Sequence, residues 1–331
     1  MKSTIKKLLG LGILSCISYS PTVLAFNEFN WSAQSPDVRN QRLCPAAAAD
    51  SAGLADKIHI QCAIEGENLT HTAAPAKEKL TVMSYNIERG HQLASQLDWI
   101  KNDGNAPDAD VILLSEVDRG CARTEYKNVA REWAEALGMY YAFGVEWHEV
   151  DDQCEHGNAI LSRYPMGDVK VSRFQNASSF YVYNTDDELR VGGRMALSAT
   201  LKVGNKYVSA YSTHLASRFD DGAIREGQAG EIVTQTGGSY FNTIVGGDMN
   251  TFLQYPALLV GSHSDVLDHF IDYGLDDAHG DWSAADRETA GSTQILDYVF
   301  AKNGTTSFPG KCSESRCGGL SDHLPVWADI N

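Results

Sequence analysis

Thr243-Ile244-Val245-Gly246-Gly247-Asp248-Met249-Asn250 is the stretch on which the reading of this chain turns. Ile and Val suit a buried strand. Two glycines then end the run, allowing a sharp turn or a close backbone approach. Asp248 and Asn250 share side-chain parity if the extended geometry continues, so both can point into one site beyond the strand. The plainer account is a Gly-Asp turn whose Asn satisfies its own backbone. Five other strand-like segments carry similar punctuation, and that repetition favours a site. They are Asn86 and Glu88 in Ser84-Tyr85-Asn86-Ile87-Glu88, Glu116 after Leu114-Ser115, and His214 after Ser212-Thr213. Asp297 lies inside Ile295-Leu296-Asp297-Tyr298-Val299-Phe300, and Asp322-His323 precede Leu324-Pro325-Val326.

Singly, each has an ordinary explanation: a turn Asn, an acid opening a helix, a hydrogen-bonded core His, a buried carboxylate paired with an Arg. Together they describe a site. Carboxylates and Asn oxygens suit Mg²⁺ or Mn²⁺, with Ca²⁺ as an alternative, and not a thiolate metal. Histidines beside carboxylates suit proton transfer at an oxygen leaving group.

Outward from this constellation, Leu80 to Ile87, Asp110 to Ser115, Tyr140 to Trp147 and Asn158 to Ser162 read as strands. Met195 to Val203 and Tyr207 to Ser212 form a hairpin through Gly204-Asn205. Gln294 to Ala301 and Pro325 to Ile330 are further strands. Leu93, Leu97 and Ile100 recur at helical spacing, as do Val129, Trp133 and Leu137 before Gly138. Ala223 to Thr236 reads as a polar helix. Hairpins mixed with helices predict an α/β (α+β) fold of two packed mixed sheets with helices outside.

Residues 1–25 have the form of a secretory signal peptide. Lys2, Lys6 and Lys7 precede an apolar centre from Leu8 to Ile17, and Val23-Leu24-Ala25 offers small residues for cleavage. No later stretch is apolar for long enough to span a membrane. The expected product is a secreted or periplasmic monomer. The formal charge of −16 becomes −19 once the three leader lysines are removed. So acidic a protein lacks sequence-independent attraction for long polyanions, although bound divalent cations can invert the local sign. Six cysteines remain after Cys16 leaves with the leader, which argues for three disulfides. Sequence proximity suggests Cys44–Cys62, Cys121–Cys154 and Cys312–Cys317; no CxxC pair supports a zinc site. Residues 26–79, with an alanine run and a Thr-Ala-Ala-Pro-Ala-Lys-Glu-Lys stretch, read as a disulfide-stapled appendage and linker before a catalytic domain at 80–331.

The ordered segments SYNIE, LLSE, GNAILSR, STHL, GGDMN, LDYVF and SDHLPV resemble the endonuclease/exonuclease/phosphatase superfamily, to which pancreatic-type deoxyribonuclease and bacterial sphingomyelinase are related. The resemblance runs from about Leu80 to the C-terminus and implies a four-layer αββα sandwich. It implies Glu116 as the main metal carboxylate, assisted by Asn86, Glu88 and Asp322. Asp248 would orient or deprotonate the attacking water, with Asn250 contacting a phosphate oxygen. His323, held by Asp297, would be the catalytic histidine, and His214 would contact the phosphate or assist the leaving group. The region from Glu116 to Thr124, with Leu137-Gly138-Met139, looks like a poorly defined bacterial branch of metal-dependent hydrolases. Arg123, His156, Asn158 and Arg218 are candidate substrate contacts; Arg123 reads equally as a surface ion pair, and Arg218 and Arg225, close enough after His214 to face the cleft, read better as helix-surface residues. Neither the Trp-Cys-Asp-Arg element of inositol polyphosphate phosphatases nor the Asn-Trp-Gly-Gln element of bacterial sphingomyelinases is present.

The expected activity is hydrolysis of a P–O bond in a phosphate ester, as a metal-dependent phosphodiesterase or phosphatase. A secreted nuclease and a lipid-headgroup hydrolase are the competing versions. For the lipid version Phe180-Tyr181-Val182-Tyr183 is the one candidate apolar loop, and it reads better as a strand. A catalytically silent binding or toxin-like protein would have no need of Glu116, Asp248, Asn250, Asp297 and His323 together.

Overall fold

Along each central strand the side chains alternate between two apolar surroundings, and this alternation fixes the layers of the molecule. The computed structural model describes residues 64–67, 73–149, 152, 154–175, 181–183, 189–217, 222–239, 241–251, 263–291 and 294–331. The leader, Cys44–Cys62 and Arg218 lie outside them. In chain order the strands are β1 (Ile64–Glu67), β2 (Leu80–Arg89), β3 (Val111–Arg119), β4 (Tyr140–Glu149) and β5 (Cys154–Ser162). Then come β6 (Met166–Arg173), β7 (Tyr181–Tyr183), β8 (Leu189–Gly192), β9 (Met195–Val203) and β10 (Lys206–His214). The rest are β11 (Asn242–Asp248), β12 (Leu275–Asp277), β13 (Asp297–Lys302), β14 (Thr306–Lys311) and β15 (Val326–Ile330). The helices are α1 (Leu93–Asn102), α2 (Val129–Leu137), α3 (Gly222–Gly237), α4 (His263–Asp272), α5 (Ala284–Arg287) and α6 (Glu314–Cys317).

One sheet runs β14-β15-β2-β3-β5-β4-β8-β7, with β1 also pairing with β4; the other runs β12-β13-β11-β10-β9-β6. Both are mixed, because β2–β3 and β10–β11 are parallel while their other neighbours are antiparallel. A parallel pair needs a crossover, and α1 and α3 lie in those two connections. Three apolar clusters fill the gaps between layers. Val82, Leu113, Ile160, Leu197, Ile244 and Val299 pack between the sheets. Tyr85, Ile112 and Leu161 face Trp99 of α1 and Trp133 of α2, while Val245, Tyr298 and Phe300 face Ile232 of α3 and Phe270 of α4. This is the expected four-layer αββα sandwich.

Local choices agree with it. Asn128 caps α2 by accepting from the Arg131 backbone N–H, and Gly138 ends that helix at φ 65°. The buried residues of α3 (Gly222, Arg225, Gln228, Ala229, Ile232, Val233 and Thr236) recur at three- and four-residue spacing, although the helix is polar by composition.

β1 lies within the stretch assigned from sequence to a separate appendage, yet it is part of the nine-stranded sheet. Glu65 explains its attachment: it accepts from Arg119 Nη1 at 2.7 Å, Asn128 Nδ2 at 2.5 Å and the Tyr141 hydroxyl at 2.8 Å. The disulfides Cys121–Cys154 and Cys312–Cys317 are both formed. No described helix is long and apolar enough to cross a membrane.

Candidate active site

At one end of the inter-sheet layer the apolar filling gives way to polar groups carried on the same strand faces. On β11 the inner face runs Ile244, Gly246, Asp248; on β13 it runs Ala301, Val299, Asp297; on β10 it runs Ala210, Ser212, His214. His214, Asp248 and Asp297 are direct register partners across these three neighbouring strands, so they form one row. Gly247 makes the row possible. At φ 144°, a Cβ there would lie 1.8 Å from the Thr213 carbonyl oxygen of the adjacent strand. From the other sheet Asn86 reaches across, donating through Nδ2 to Asp248 Oδ2 at 3.1 Å and Glu116 Oε1 at 3.3 Å.

Glu116 is aimed by the backbone. On β3, Ile112 and Leu114 face the helices, and strict alternation would send Glu116 the same way. The ladder instead slips between Leu114 and Val117 against β5, and between Asn86 and Arg89 against β2. Such bulges re-aim side chains. Glu88, Arg89 and Glu116 all sit at positive φ (47°, 63° and 53°), a backbone region that costs energy for non-glycine residues and collects at functional sites.

His323 Nδ1 lies 2.7 Å from Asp297 Oδ2, and its Nε2 lies 3.7 Å from Asp248 Oδ2. Ser321 supports this turn, donating to the Asn86 carbonyl at 2.7 Å and accepting from the His323 backbone N–H at 3.1 Å. His214 Nε2 stands 3.4 Å from the same Asp248 oxygen. Burial lowers the His323 pKa, but Asp297, Asp248 and Asp322 outweigh it and hold the group well above its ordinary value. His214 is held well below its ordinary value by burial, then by Arg194, His156 and His323. Burial and the neighbouring Asp297 push Asp248 up to about 7 against the pull of His323, Asn250 and Asn86. Burial raises the Glu116 carboxyl, but His156, His323, Arg89 and Arg194 together keep it below the usual range. Two histidines thus take opposite protonation states around one carboxylate.

The structure brings Asn86, Glu116, Asp248, His214, Asp297 and His323 together. Others stand apart. Asn86 and Glu88 were expected side by side on one face, but the bulge leaves Glu88 part-exposed at the rim, its carboxylate 3.9 Å from His91, with only its backbone N–H bonded to Asn86 Oδ1. Asp322, expected to assist the metal carboxylate, is exposed and contributes charge to His323. Asn250 sits at φ 50°, where its backbone N–H caps Asp248 Oδ1 at 2.9 Å and its amide nitrogen donates to the Leu215 carbonyl. One of its two amide N–H groups is thereby engaged in holding the loop. Arg123 is closed on Asp118 (2.6 and 2.9 Å) and on Glu149 (2.6 Å), the ion-pair alternative to a phosphate grip. Arg225 is fully buried and donates to the Ala216 carbonyl at 3.0 Å, so it is not a helix-surface residue. His156 is anchored by Asp118 at 3.1 Å. Asn158 lies opposite the β3 bulge, and its Oδ1 is buried without a hydrogen-bond partner among the described residues.

The chain matches the Endonuclease/Exonuclease/phosphatase family over residues 83–323, which takes in every member of the central constellation. The chain belongs to that family. Its members are hydrolases of phosphoester bonds that depend on divalent metals. Among solved structures the family protein from Beutenbergia cavernae DSM 12333 is 19% identical, covering 77% of this chain and 72% of its own, with a TM-score of 0.59. The human Nocturnin catalytic domain with bound sulfate is 17% identical, with coverages of 78% and 96% and a TM-score of 0.59. Sphingomyelinase C from Streptomyces griseocarneus is 18% identical, with coverages of 77% and 100% and a TM-score of 0.51. No curated protein matches the chain by sequence.

The donor set at the centre of this family member fits a hard cation. Glu116 and Asp248 offer clustered carboxylate oxygens, while Asn86, expected as a ligand, turns its amide nitrogen to both and its Oδ1 to the Glu88 backbone N–H. Asp248, Asp297 and His323 place ligand atoms within 4.8 Å of one another. Asp297 Oδ1 is buried with no hydrogen-bond partner among the described residues. A second cluster, Cys121, Glu149 and Cys154, is not a metal site, because both sulfurs are spent in a disulfide. Three arginines near the centre escaped the sequence reading: Arg89, Arg190 and Arg194. Arg89 directly follows the first motif and could have been noticed. Arg190 lies within the short strand β8 and Arg194 just after it, with no motif around them, and only the sheet order brings them near.

Proposed function

We propose that this chain is an exported, divalent-metal-dependent phosphoesterase that hydrolyses a P–O bond by in-line attack of water. The observation that carries it is Asp248, at the meeting point of two imidazoles and the Asn86 amide, with Glu116 3.3 Å from that amide. Glu116 and Asp248, positioned by the Asn86 amide between them, would hold Mg²⁺ or Mn²⁺; the cation would supply neutralisation of charge on the phosphoryl oxygens. Asp248 aims the water and takes its proton. Protonated His323, fixed through Nδ1 by Asp297, donates from Nε2 toward the phosphoryl or leaving oxygen. His214, kept neutral, donates or accepts a hydrogen bond at Nε2 and adds no charge. Export rests on the leader-like residues 1–25 and agrees with two disulfides.

The test is a turnover screen of the mature protein with Mg²⁺ or Mn²⁺ against DNA, RNA, sphingomyelin, phosphoinositides and simple phosphate esters. Activity should vanish with chelator, return with either ion, and be nearly lost in Glu116→Gln, which keeps the shape and removes the charge. Full turnover after exhaustive chelation would overturn the mechanism.

A further inference from the structure

Arg89, Arg190 and Arg194 belong to neither the proton relay nor the metal ligands, yet they approach the same carboxylate from both sides. Arg89 ends β2 beside Val117, one residue past Glu116, at the bulge with positive φ. Arg190 pairs with Glu149 across β8 and β4. Arg194 is pinned by two hydrogen bonds, Nη1 to Glu146 Oε1 at 2.8 Å and Nη2 to Ser217 Oγ at 3.2 Å. In the strand order β2-β3-β5-β4-β8, Arg89 and Arg190 lie on opposite sides of β3, the strand that carries Glu116. Their charges meet there: Arg190 feels Glu116, Arg89 and Arg194 at once.

Their hydrogen bonding separates them from the other arginines of this region. Arg119 and Arg123 are each closed on two carboxylates at hydrogen-bond distance. Among the described residues, no carboxylate pairs with Arg89, and Arg190 has only Glu149 at 3.7 Å. The Nε atoms of both are buried with no acceptor there. Buried donors ordinarily find partners, so these two are set for an acceptor brought from outside. A guanidinium fork matches phosphate or carboxylate in two-point contact.

We propose that Arg89, Arg190 and Arg194 form a second anion subsite beside the scissile-phosphate position, so that the preferred substrate is a small phosphoester carrying a further oxyanion group. A quaternary ammonium headgroup would meet three like charges there, where an aromatic cage is the usual device. A long polyanion is disfavoured by the chain's net charge of −16. A compact doubly anionic ester avoids both penalties. The subsite presupposes the phosphoesterase reading, since it is defined relative to the reacting phosphate.

The test begins with calorimetric titration of the mature protein with 1,2-ethanedisulfonate and with methanesulfonate, two probes that bind metals weakly. The disulfonate should bind about tenfold tighter or more, and Arg89→Gln and Arg190→Gln should each erase most of that advantage. In parallel, kcat/KM is measured for a singly charged diester and for an ester of similar size bearing a second phosphate. The ratio of the two should fall about tenfold or more in each variant. Equal binding of the two sulfonates by the unaltered protein overturns the subsite, and this comparison holds even where a variant fails to fold. An unchanged kcat/KM ratio in both folded variants overturns it too. Turnover of the singly charged diester without preference for the second anion removes the subsite and leaves the phosphoesterase reading intact. Preference for the disulfonate with no turnover of any ester keeps a paired anion site at these arginines but removes the phosphoesterase reading, and with it the proposed substrate.

Discussion

Replacing Asp297 by Asn isolates the element on which proton transfer depends, because it changes one atom in a buried contact. Asp297 Oδ2 lies 2.7 Å from His323 Nδ1, and both groups are nearly inaccessible. Unit charges about 4 Å apart at an effective dielectric of about 20 interact by roughly 4 kcal/mol. Asn removes that support for the imidazolium and can present an amide N–H to Nδ1, favouring the wrong tautomer. Removing a positioned acid or base costs about 10²–10⁴ in rate, or roughly 3–5 kcal/mol, a range that spans the electrostatic figure. We expect kcat of Asp297→Asn to fall by that factor, measured at saturating Mg²⁺ on the ester selected by the screen. Circular dichroism and the urea midpoint should show a folded protein, since the substitution conserves volume. His323→Ala should lose as much, and the double variant should be little worse than the worse single one, because the two residues act as a unit. Fully multiplicative losses, or a near-normal Asp297→Asn enzyme, would refute the pairing.

Gly247→Ala should destabilise the protein by more than about 2 kcal/mol in urea unfolding, because its Cβ meets the Thr213 carbonyl at 1.8 Å on a φ of 144°; a variant of unchanged stability would show that the close strand approach is not enforced. Arg123→Met removes the hydrogen-bonded cation from two carboxylates whose side chains are 0% and 1% exposed, leaving Asp118 with His156 and Glu149 with Arg190 at 3.7 Å, at a cost of about 3–5 kcal/mol near neutral pH. Burial raises the Glu149 carboxyl, but Arg123 outweighs it and depresses the pKa in the folded state. The stability this group contributes is thus present above its unfolded value of about 4.3 and fades as pH falls through the lower folded value. The gap between wild type and Arg123→Met should accordingly narrow on acidification below about pH 4, as a pH series of urea midpoints will show. Peptide mapping without reductant should find Cys121 joined to Cys154 and Cys312 to Cys317; free thiols at 121 and 154 would remove the brace from the loop that carries Arg123.

Alternation and local chemistry made much of the molecule legible from sequence. Ile244 and Val245 already imply two buried faces, and Gly138 marks the end of a helix because only a left-handed residue closes it there. Gly247 before Asp248 implied a close approach, and the neighbour turned out to be the Thr213 carbonyl. Asp297 within an apolar strand required a partner, since an unpaired buried carboxylate is costly. Weaker elements were not legible. α4, α5, α6, β12 and β14 lack a long periodic pattern or a motif, and β1 is held by Glu65 through partners 54, 63 and 76 residues away. What only the tertiary structure decided is where several charged side chains point. A bulge is a mismatch between two strands, so no single strand encodes it. That mismatch turns Glu116 from the helix side into the site and leaves Glu88 at the rim. Ion pairs show the same dependence: Arg123 could have held a phosphate, until folding brought Glu149 within 2.6 Å. Arg89 and Arg190, 101 positions apart, face one carboxylate because the order of strands in a sheet is set by packing rather than by chain sequence.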